Sequence, residues 1–511
     1  MKKLVKFIFS RKFIIVALLL AQIALMVLSL VKLSEHYALV YGFLTVFGFA
    51  LVCYILNRNE SPDYKLAWIV PLLIFPVFSA AMYVFFKAQI GTQLFRKNHL
   101  RKTAETRPFL MPDDTFMRTL AADSPEMRNL ASYIWRHAGF PAYQNTTVEY
   151  FPLGEQKFVT LKRELAAAEH FIFLEYFIIA EGKMWGDILE ILTEKAAQGV
   201  DVRVLYDGFG SQMHLPDKYD RFLNSLGIKC KVFSPFKPFL STSQNNRDHR
   251  KICVIDGHTA FNGGVNLADE YINRVNRFGH WKDTSVMLKG EAVFSFTMMF
   301  LQMWELTEIV SEDYDALRPH VHHKEAFPTD GVIIPFADAP VDDETVGKLV
   351  YLDLINRAQE YLFITTPYLI LDSDMITSLT YAAKSGVDVR IIIPGKPDKW
   401  YVHAIGKSFH KLLIQSGVKL YQYEDGFVHA KNFVSDDTKA IVGTINLDFR
   451  SLYLHFECAT VMYKSICVDA VKQDFLEMLT KCRRITLDDC NRRSLPDKLT
   501  SSVLRIFAPL L

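Results

Sequence analysis

The sequence predicts an α/β protein, with N-terminal transmembrane helices followed by two similar halves. Three observations lead there: apolar runs confined to the first 90 residues, a strand–helix–turn–strand succession that occurs twice, and one spaced motif present once in each half.

The apolar runs come first in the chain. Phe13 to Val31, FIIVALLLAQIALMVLSLV, is 19 residues without a charge, long enough to cross a hydrocarbon layer of about 30 Å. A cleaved signal peptide would be shorter and end at a small-residue cleavage site, whereas here a second run, Ala38 to Leu56, follows closely. The third, Leu66 to Phe86, contains Pro71 and Pro76 and is expected either to span with a kink or to lie partly in the interface. Lys2, Lys3, Lys6, Arg11 and Lys12 place the N-terminus in the cytoplasm. Three full spans then put the rest of the chain outside, and two spans with a re-entrant third segment keep it inside; both readings stand. The organisation expected is a membrane region over 1–90 (segments 13–31, 38–56 and 66–86), a basic juxtamembrane linker over 91–130, and two domains over 131–325 and 326–511. Arg96, Lys97, Arg101, Lys102 and Arg107 in that linker are expected to form a strip facing anionic lipid.

Bulk properties exclude some function classes. A formal charge of +2 over 511 residues offers no electrostatic footprint for nucleic acid. The seven cysteines show no CxxC spacing, so neither a disulfide framework nor a zinc site is expected, and Cys253 and Cys458 read as small core residues.

The two halves are recognised by repetition. AAQGVDVRVL (Ala196 to Leu205) recurs as AAKSGVDVRII (Ala382 to Ile392), each after a helix-like stretch and, before that, an apolar strand candidate, FIFLEYFII or YLFITTPYLIL. Strand, helix, Gly turn, strand is the pattern of a βαβ unit in a largely parallel sheet. Within this frame HRKICVIDGHTAFNGGVN (His249 to Asn266) aligns with HAKNFVSDDTKAIVGTIN (His429 to Asn446), and both fit H-x-K-x4-D-x6-G-x2-N.

That spacing has a chemical reading. Residues two apart on a strand share a face, so His249 points with Lys251 and His429 with Lys431. Asp256 and Asp436 fall at the strand ends. Imidazoles beside ammonium groups make a poor metal site and a good anion site. Lys251 and Lys431 would hold phosphate oxygens, and Asn266 and Asn446 would donate further hydrogen bonds. One histidine would attack phosphorus while the other protonates the leaving oxygen and later deprotonates the incoming one. Asp256 and Asp436 would fix the imidazole tautomers, as a triad acid does.

The two copies resemble the HKD motifs of the phospholipase D superfamily. The N-terminal segments, KLAWIVPLLIFPVF, TTPYLILD, GVDVRIIIPGKPDKW, NLDFRS and Glu457 are similar to those of bacterial cardiolipin synthases, over nearly the full length. The resemblance implies a duplicated phospholipase D-type α/β sandwich pair with pseudo-two-fold symmetry in a multi-pass protein of the bacterial cell membrane. It implies a phosphatidyltransferase that converts two phosphatidylglycerol molecules into cardiolipin and glycerol, with no cofactor and no metal. His249 would be the nucleophile and His429 the general acid/base. A phospholipase D hydrolase or a phosphatidylserine synthase of the same superfamily is the alternative, with water or serine replacing the second lipid alcohol. The partners expected are phosphatidylglycerol and other anionic phospholipids in a bilayer, not nucleic acid, whose nucleases show a basic, aromatic-lined groove and need no anchor. One departure is His455, which stands where an asparagine is expected in RSLYLHFE.

Other candidates are weaker. HVHH (His320 to His323) lies in the charged connection between the halves and reads as a solvated linker. Glu175 and Glu457 sit in apolar strands, where a carboxylate needs a partner; a lysine or histidine of the site and a plain structural ion pair are both open. Trp281 and Asp283 in HWKDTSV are candidates to line the site, with core packing the role expected of Trp281.

Overall fold

The computed structural model describes residues 37–58, 61–74, 79–80, 82–84, 90–234, 245–308 and 311–510, with Leu20, Ala24 and Val27 before them. The expectation for Phe13 to Val31 otherwise lies outside the described residues, as does most of the second half of Leu66 to Phe86.

Period-2 apolar patterning builds two sheets. The first half contributes β1 (Thr146–Phe151), β2 (Phe171–Tyr176), β3 (Asp201–Asp207), β4 (Lys229–Phe233), β5 (Lys251–Ile255), β6 (Thr259–Gly263), β7 (His280–Lys282) and β8 (Ser285–Gly290). The second contributes β9 (Val332–Asp338), β10 (Tyr361–Thr365), β11 (Asp388–Pro394), β12 (Lys419–Tyr423), β13 (Gly426–Val428), β14 (Asn432–Ser435), β15 (Lys439–Gly443), β16 (Glu457–Tyr463) and β17 (Cys482–Arg484). The first sheet runs β1-β8-β6-β5-β2-β3-β4; the second runs β9-β16-β15-β14-β10-β11-β12, with β17 added at the far edge. Strand for strand, the order is the same.

The sheets are mixed, which corrects the expectation of a largely parallel one. Within these two sheets only β2-β3-β4 and β10-β11-β12 pair in parallel. The motif strands β5 and β14 pair antiparallel on both sides; on one side each is joined to its neighbour, β6 or β15, by a tight hairpin, which cannot connect parallel strands. The parallel crossovers carry the helices Lys183–Ala197 and Ser373–Lys384. Both end at the GVDVR turn, where Gly199 (φ 93°) and Gly386 (φ 102°) adopt the left-handed conformation that releases the chain into β3 or β11.

Alternation along the strands decides what each face meets. On β2, Phe171 and Phe173 face a core that runs through both halves, while Ile172, Leu174 and Tyr176 pack under the outer helices of the first. Helix Val293–Trp304 has all twelve residues buried between the sheets, with Phe300 stacked on Phe173 at 4.7 Å. The parallel pair β7-β13 ties the halves together.

Among the described residues no helix is long and apolar enough to cross a membrane. Helices Tyr37–Leu56 and Pro62–Ile74 nevertheless expose Phe43, Val46, Phe49, Leu73 and Ile74. The basic stretch does not form a lipid-facing strip throughout. Helix Ile90–Thr106 lies on the protein, with Lys102 fully buried against Glu305 (3.2 Å) and Glu105 (3.0 Å), Arg96 paired with Asp343, and Arg101 donating to the Glu308 carbonyl. A run of basic residues reads the same in sequence whether lipid or buried carboxylates await it.

Candidate active site

Both motif histidines stand just before their strands, each pinned by the other half. The His249 N–H donates to the Phe456 carbonyl (2.9 Å), and the His429 N–H donates to the Lys282 carbonyl (2.7 Å). The residue that follows each of those carbonyls is a buried carboxylate. Glu457 thus lies 2.9 Å from His249 Nδ1, and Asp283 lies 2.7 Å from His429 Nδ1. Two residues before each carboxylate a ring covers the opposing imidazole: Trp281 to His429 at 5.4 Å, and His455 to His249 at 5.5 Å. The pseudo-two-fold therefore pairs Trp281 with His455 and Asp283 with Glu457.

The carboxylates are themselves fixed. Glu457 accepts from the Thr444 hydroxyl, and Asp283 accepts from the Thr284 N–H at 2.8 Å. With a carboxylate on Nδ1, that nitrogen carries the proton and Nε2 keeps its lone pair. Burial, then the charges of Lys251 and Lys431, holds His249 well below the ordinary imidazole range. Burial and Lys431 bring His429 down to about 4 against the opposing pull of Asp283. Burial alone would raise Asp283, but His429 and Lys431 keep it below the usual carboxylate range.

Lys251 and Lys431 are buried, and each ammonium donates to the carbonyl of its own motif histidine. Burial lowers Lys251 to about 8 and Lys431 to about 7; proximity to Lys251 contributes to the latter. Two imidazoles and two ammonium groups in a desolvated cleft form an anion site. Among the described residues His249, His455 and Glu457 bring ligand atoms within 4.8 Å of one another. The adjacent lysines oppose a divalent cation there.

The expectation that Asp256 and Asp436 orient the imidazoles is not met. Asp256 (φ 49°) accepts from the N–H groups of Glu169, His170 and Phe171, each at 2.8 Å. Asp436 (φ 51°) does the same for Gln359, Glu360 and Tyr361 at 2.9–3.0 Å. Each strand-end carboxylate turns away from the cleft and clamps the start of β2 or β10, because unpaired amides at a strand start attract it more directly than an imidazole a strand's length away. Asn266 is likewise committed: its carbonyl accepts from Ile178 N–H (3.0 Å) and its amide donates to Tyr271 (2.7 Å). Asn446 keeps a buried Oδ1 with no hydrogen-bond partner among the described residues.

Glu175 meets neither a lysine nor a histidine of the site. It pairs with Arg250 at 2.8 Å, and Arg250 also reaches Asp248 at 3.3 Å. Trp281, expected as core, is buried beside His429. His320 to His323 form no cluster at the site; the His322 ring lies 4.3 Å from that of His170, tilted by 36°. Of the two partners left open for Glu457, a histidine of the site is the one found, and Asp283, expected only to line the site, is the imidazole partner in the other half. Their position after equivalent strand segments in the two halves is the signal that carries the assignment.

The family described as "Cardiolipin synthase, PLD-like domain" matches residues 161–304 and 351–479, and "Phospholipase D-nuclease N-terminal" matches 45–87. An uncharacterized protein of Streptococcus mutans is 47% identical over 460 residues, covering 90% of this chain and 99% of its own. Cardiolipin synthase 2 of Bacillus cereus is 34% identical over 479 residues, covering 91% of this chain and 90% of its own. In fold, phosphatidylserine synthase of Haemophilus influenzae superposes with a TM-score of 0.56 at 14% identity, covering 76% of this chain and 99% of its own. Matched through both motif-bearing halves and along nine-tenths of its length, the chain belongs to the cardiolipin synthase family of phospholipase D-like proteins.

Proposed function

We propose that the chain is a membrane-bound phosphatidyltransferase that condenses two phosphatidylglycerol molecules into cardiolipin and glycerol. The observation that carries this reading is the pair of imidazoles, each held through Nδ1 by a carboxylate of the opposite half, with two buried lysines beside them. His249 Nε2 attacks the phosphorus of the first lipid. The bond to its headgroup glycerol oxygen breaks as His429 delivers a proton to that oxygen, leaving a phosphohistidine and free glycerol. His429, now neutral, removes the proton from a glycerol hydroxyl of the second lipid. That oxygen attacks phosphorus, the N–P bond breaks, and His249 is restored. Lys251 and Lys431 balance the charge developing on the non-bridging oxygens. Bound phosphodiester also offsets their charges, which raises His429 toward the protonated state that the first step needs.

Placement of the N-terminal helices in the bacterial membrane as a multi-pass anchor belongs to the same proposal. Supporting it are the lipid-compatible exposed residues Phe43, Val46 and Phe49, and a stripe on the C-terminal helix Leu495–Ile506 where Leu495, Leu499 and Val503 are 81%, 68% and 47% exposed. That helix packs beside Pro62–Ile74, where Leu73 and Ile74 are also exposed.

The test is lipid mass spectrometry on purified protein with phosphatidylglycerol vesicles and a chelator. Cardiolipin and glycerol in equal amounts are expected. Phosphatidic acid with little cardiolipin would replace this reading with a phospholipase D.

A further inference from the structure

Transfer between two lipids brings two phosphates to the protein, and the site described accounts for the one that reacts. Beside it lies a narrow cleft, partly open to solvent, between Tyr368 after β10 and the N-terminal turn of helix Trp400–Gln415. Phe427 forms one wall, and its ring stands 6.1 Å from that of His429.

The polar groups of this cavity are not consumed by the fold. Lys399 is exposed, lies over the Tyr368 ring at 5.6 Å, and has no carboxylate within ion-pair distance among the described residues. Its charge reaches the site, contributing to the depression of His249 after burial, Lys251, Lys431 and His429. Asp398 accepts from the Tyr368 hydroxyl through Oδ2 at 2.6 Å, which leaves Oδ1 open. At the back, His410 Nε2 is buried without a hydrogen-bond partner. Burial, with the charges of Arg493 and Lys407 nearby, holds His410 at about 3 and His403 at about 4, so both line the cavity as neutral rings and Lys399 is its cation.

The position suits a lipid. The next residue, Trp400, is 68% exposed, and its helix packs against the C-terminal helix that carries the apolar stripe. Lys399 and Asp398 line the cleft together with Phe427, which lies beside His429.

Resting on the phosphatidyl-transfer reading above, we infer that this cavity is the acceptor subsite. Lys399 holds the phosphate of the second phosphatidylglycerol, Asp398 accepts a hydrogen bond from its glycerol, and the free hydroxyl is presented past Phe427 to His429. The acceptor is thereby an anionic phosphodiester lipid with a polyol headgroup, and occupancy of the cavity keeps water from the phosphohistidine.

The experiment compares wild type, Lys399→Gln and Asp398→Asn as full-length protein in phosphatidylglycerol vesicles. Two rates are read: cardiolipin formation, and exchange of labelled glycerol into phosphatidylglycerol, which uses the donor site and a small alcohol. The expected result is that Lys399→Gln loses at least about tenfold more transfer than exchange, equivalent to one 1.4 kcal/mol contact, with phosphatidic acid rising at the expense of cardiolipin, whereas Asp398→Asn, at the glycerol common to both acceptors, slows both. Loss of both rates in parallel in Lys399→Gln, or an unchanged ratio of cardiolipin to phosphatidic acid there, would overturn the assignment. Wild-type protein that exchanges glycerol yet forms no cardiolipin would overturn the transfer reading itself, and the subsite with it.

Discussion

His249 Nδ1 lies 2.9 Å from a carboxylate oxygen of Glu457, a residue 208 positions further along and in the other half of the molecule. His429 and Asp283 repeat the relationship in reverse at 2.7 Å. Each half supplies the group that orients the other's imidazole, so neither contains a complete histidine–carboxylate pair.

Replacing either carboxylate by its amide keeps the shape and reverses the tautomer preference. Asp283→Asn and Glu457→Gln are each expected to lower kcat by about 10²- to 10⁴-fold with the melting temperature little changed. Steady-state rates on vesicles beside thermal melts check this; a kcat within fivefold of wild type in both would remove the orienting role.

Asp256 is a clamp on three backbone amides, so its loss is read in stability. Asp256→Ala leaves buried donors unpaired and places alanine at φ 49°, costing about 2–4 kcal/mol. Calorimetry is expected to show a melting point lower by roughly 2–4 °C, while the folded fraction keeps kcat within a few-fold. A large fall in kcat at unchanged melting point would instead return Asp256 to the chemistry.

Burial lowers Lys431 to about 7 and Lys251 to about 8. A lowered amine loses its proton earlier as pH rises, so the anion site of the free protein weakens through that interval. For phosphatidylglycerol, kcat/KM is expected to decline from about pH 7 upward, chiefly through KM. A profile from pH 6 to 10 at constant ionic strength measures it, and Lys431→Arg, which cannot deprotonate in that range, is expected to move the decline to higher pH. A flat profile would show that the lysines stay charged throughout.

Glu175 and Arg250 form a fully buried ion pair. Arg250→Met strands two buried carboxylates and is expected to cost about 3–5 kcal/mol, whereas Glu175→Ala leaves the guanidinium its contact with Asp248 at 3.3 Å and is expected to cost less. Denaturant unfolding of the two variants tests this; a Glu175→Ala variant as unstable as Arg250→Met would contradict it.

Much of the arrangement was legible in the residues. The duplication showed because the same strand–helix–turn succession recurs, and the anion site showed because two-residue spacing on a strand puts histidine and lysine on one face. Antiparallel pairing of β5 and β14 was less visible, since a hairpin and a crossover leave similar traces in a short apolar run. His455 looked like a departure in sequence; the structure makes it the counterpart of Trp281, a ring over the opposing imidazole.

By itself, then, the sequence determined the two motifs, their residues and the chemistry those residues can perform, because local spacing and side-chain type decide them. Only the tertiary structure decided which carboxylates serve the histidines. Asp256 and Asp283 are both acids next to strands, and nothing local distinguishes the one that clamps β2 from the one that reaches across. That choice was made when the halves packed face to face, setting the segments of Lys282 and Phe456 alongside the opposite histidines.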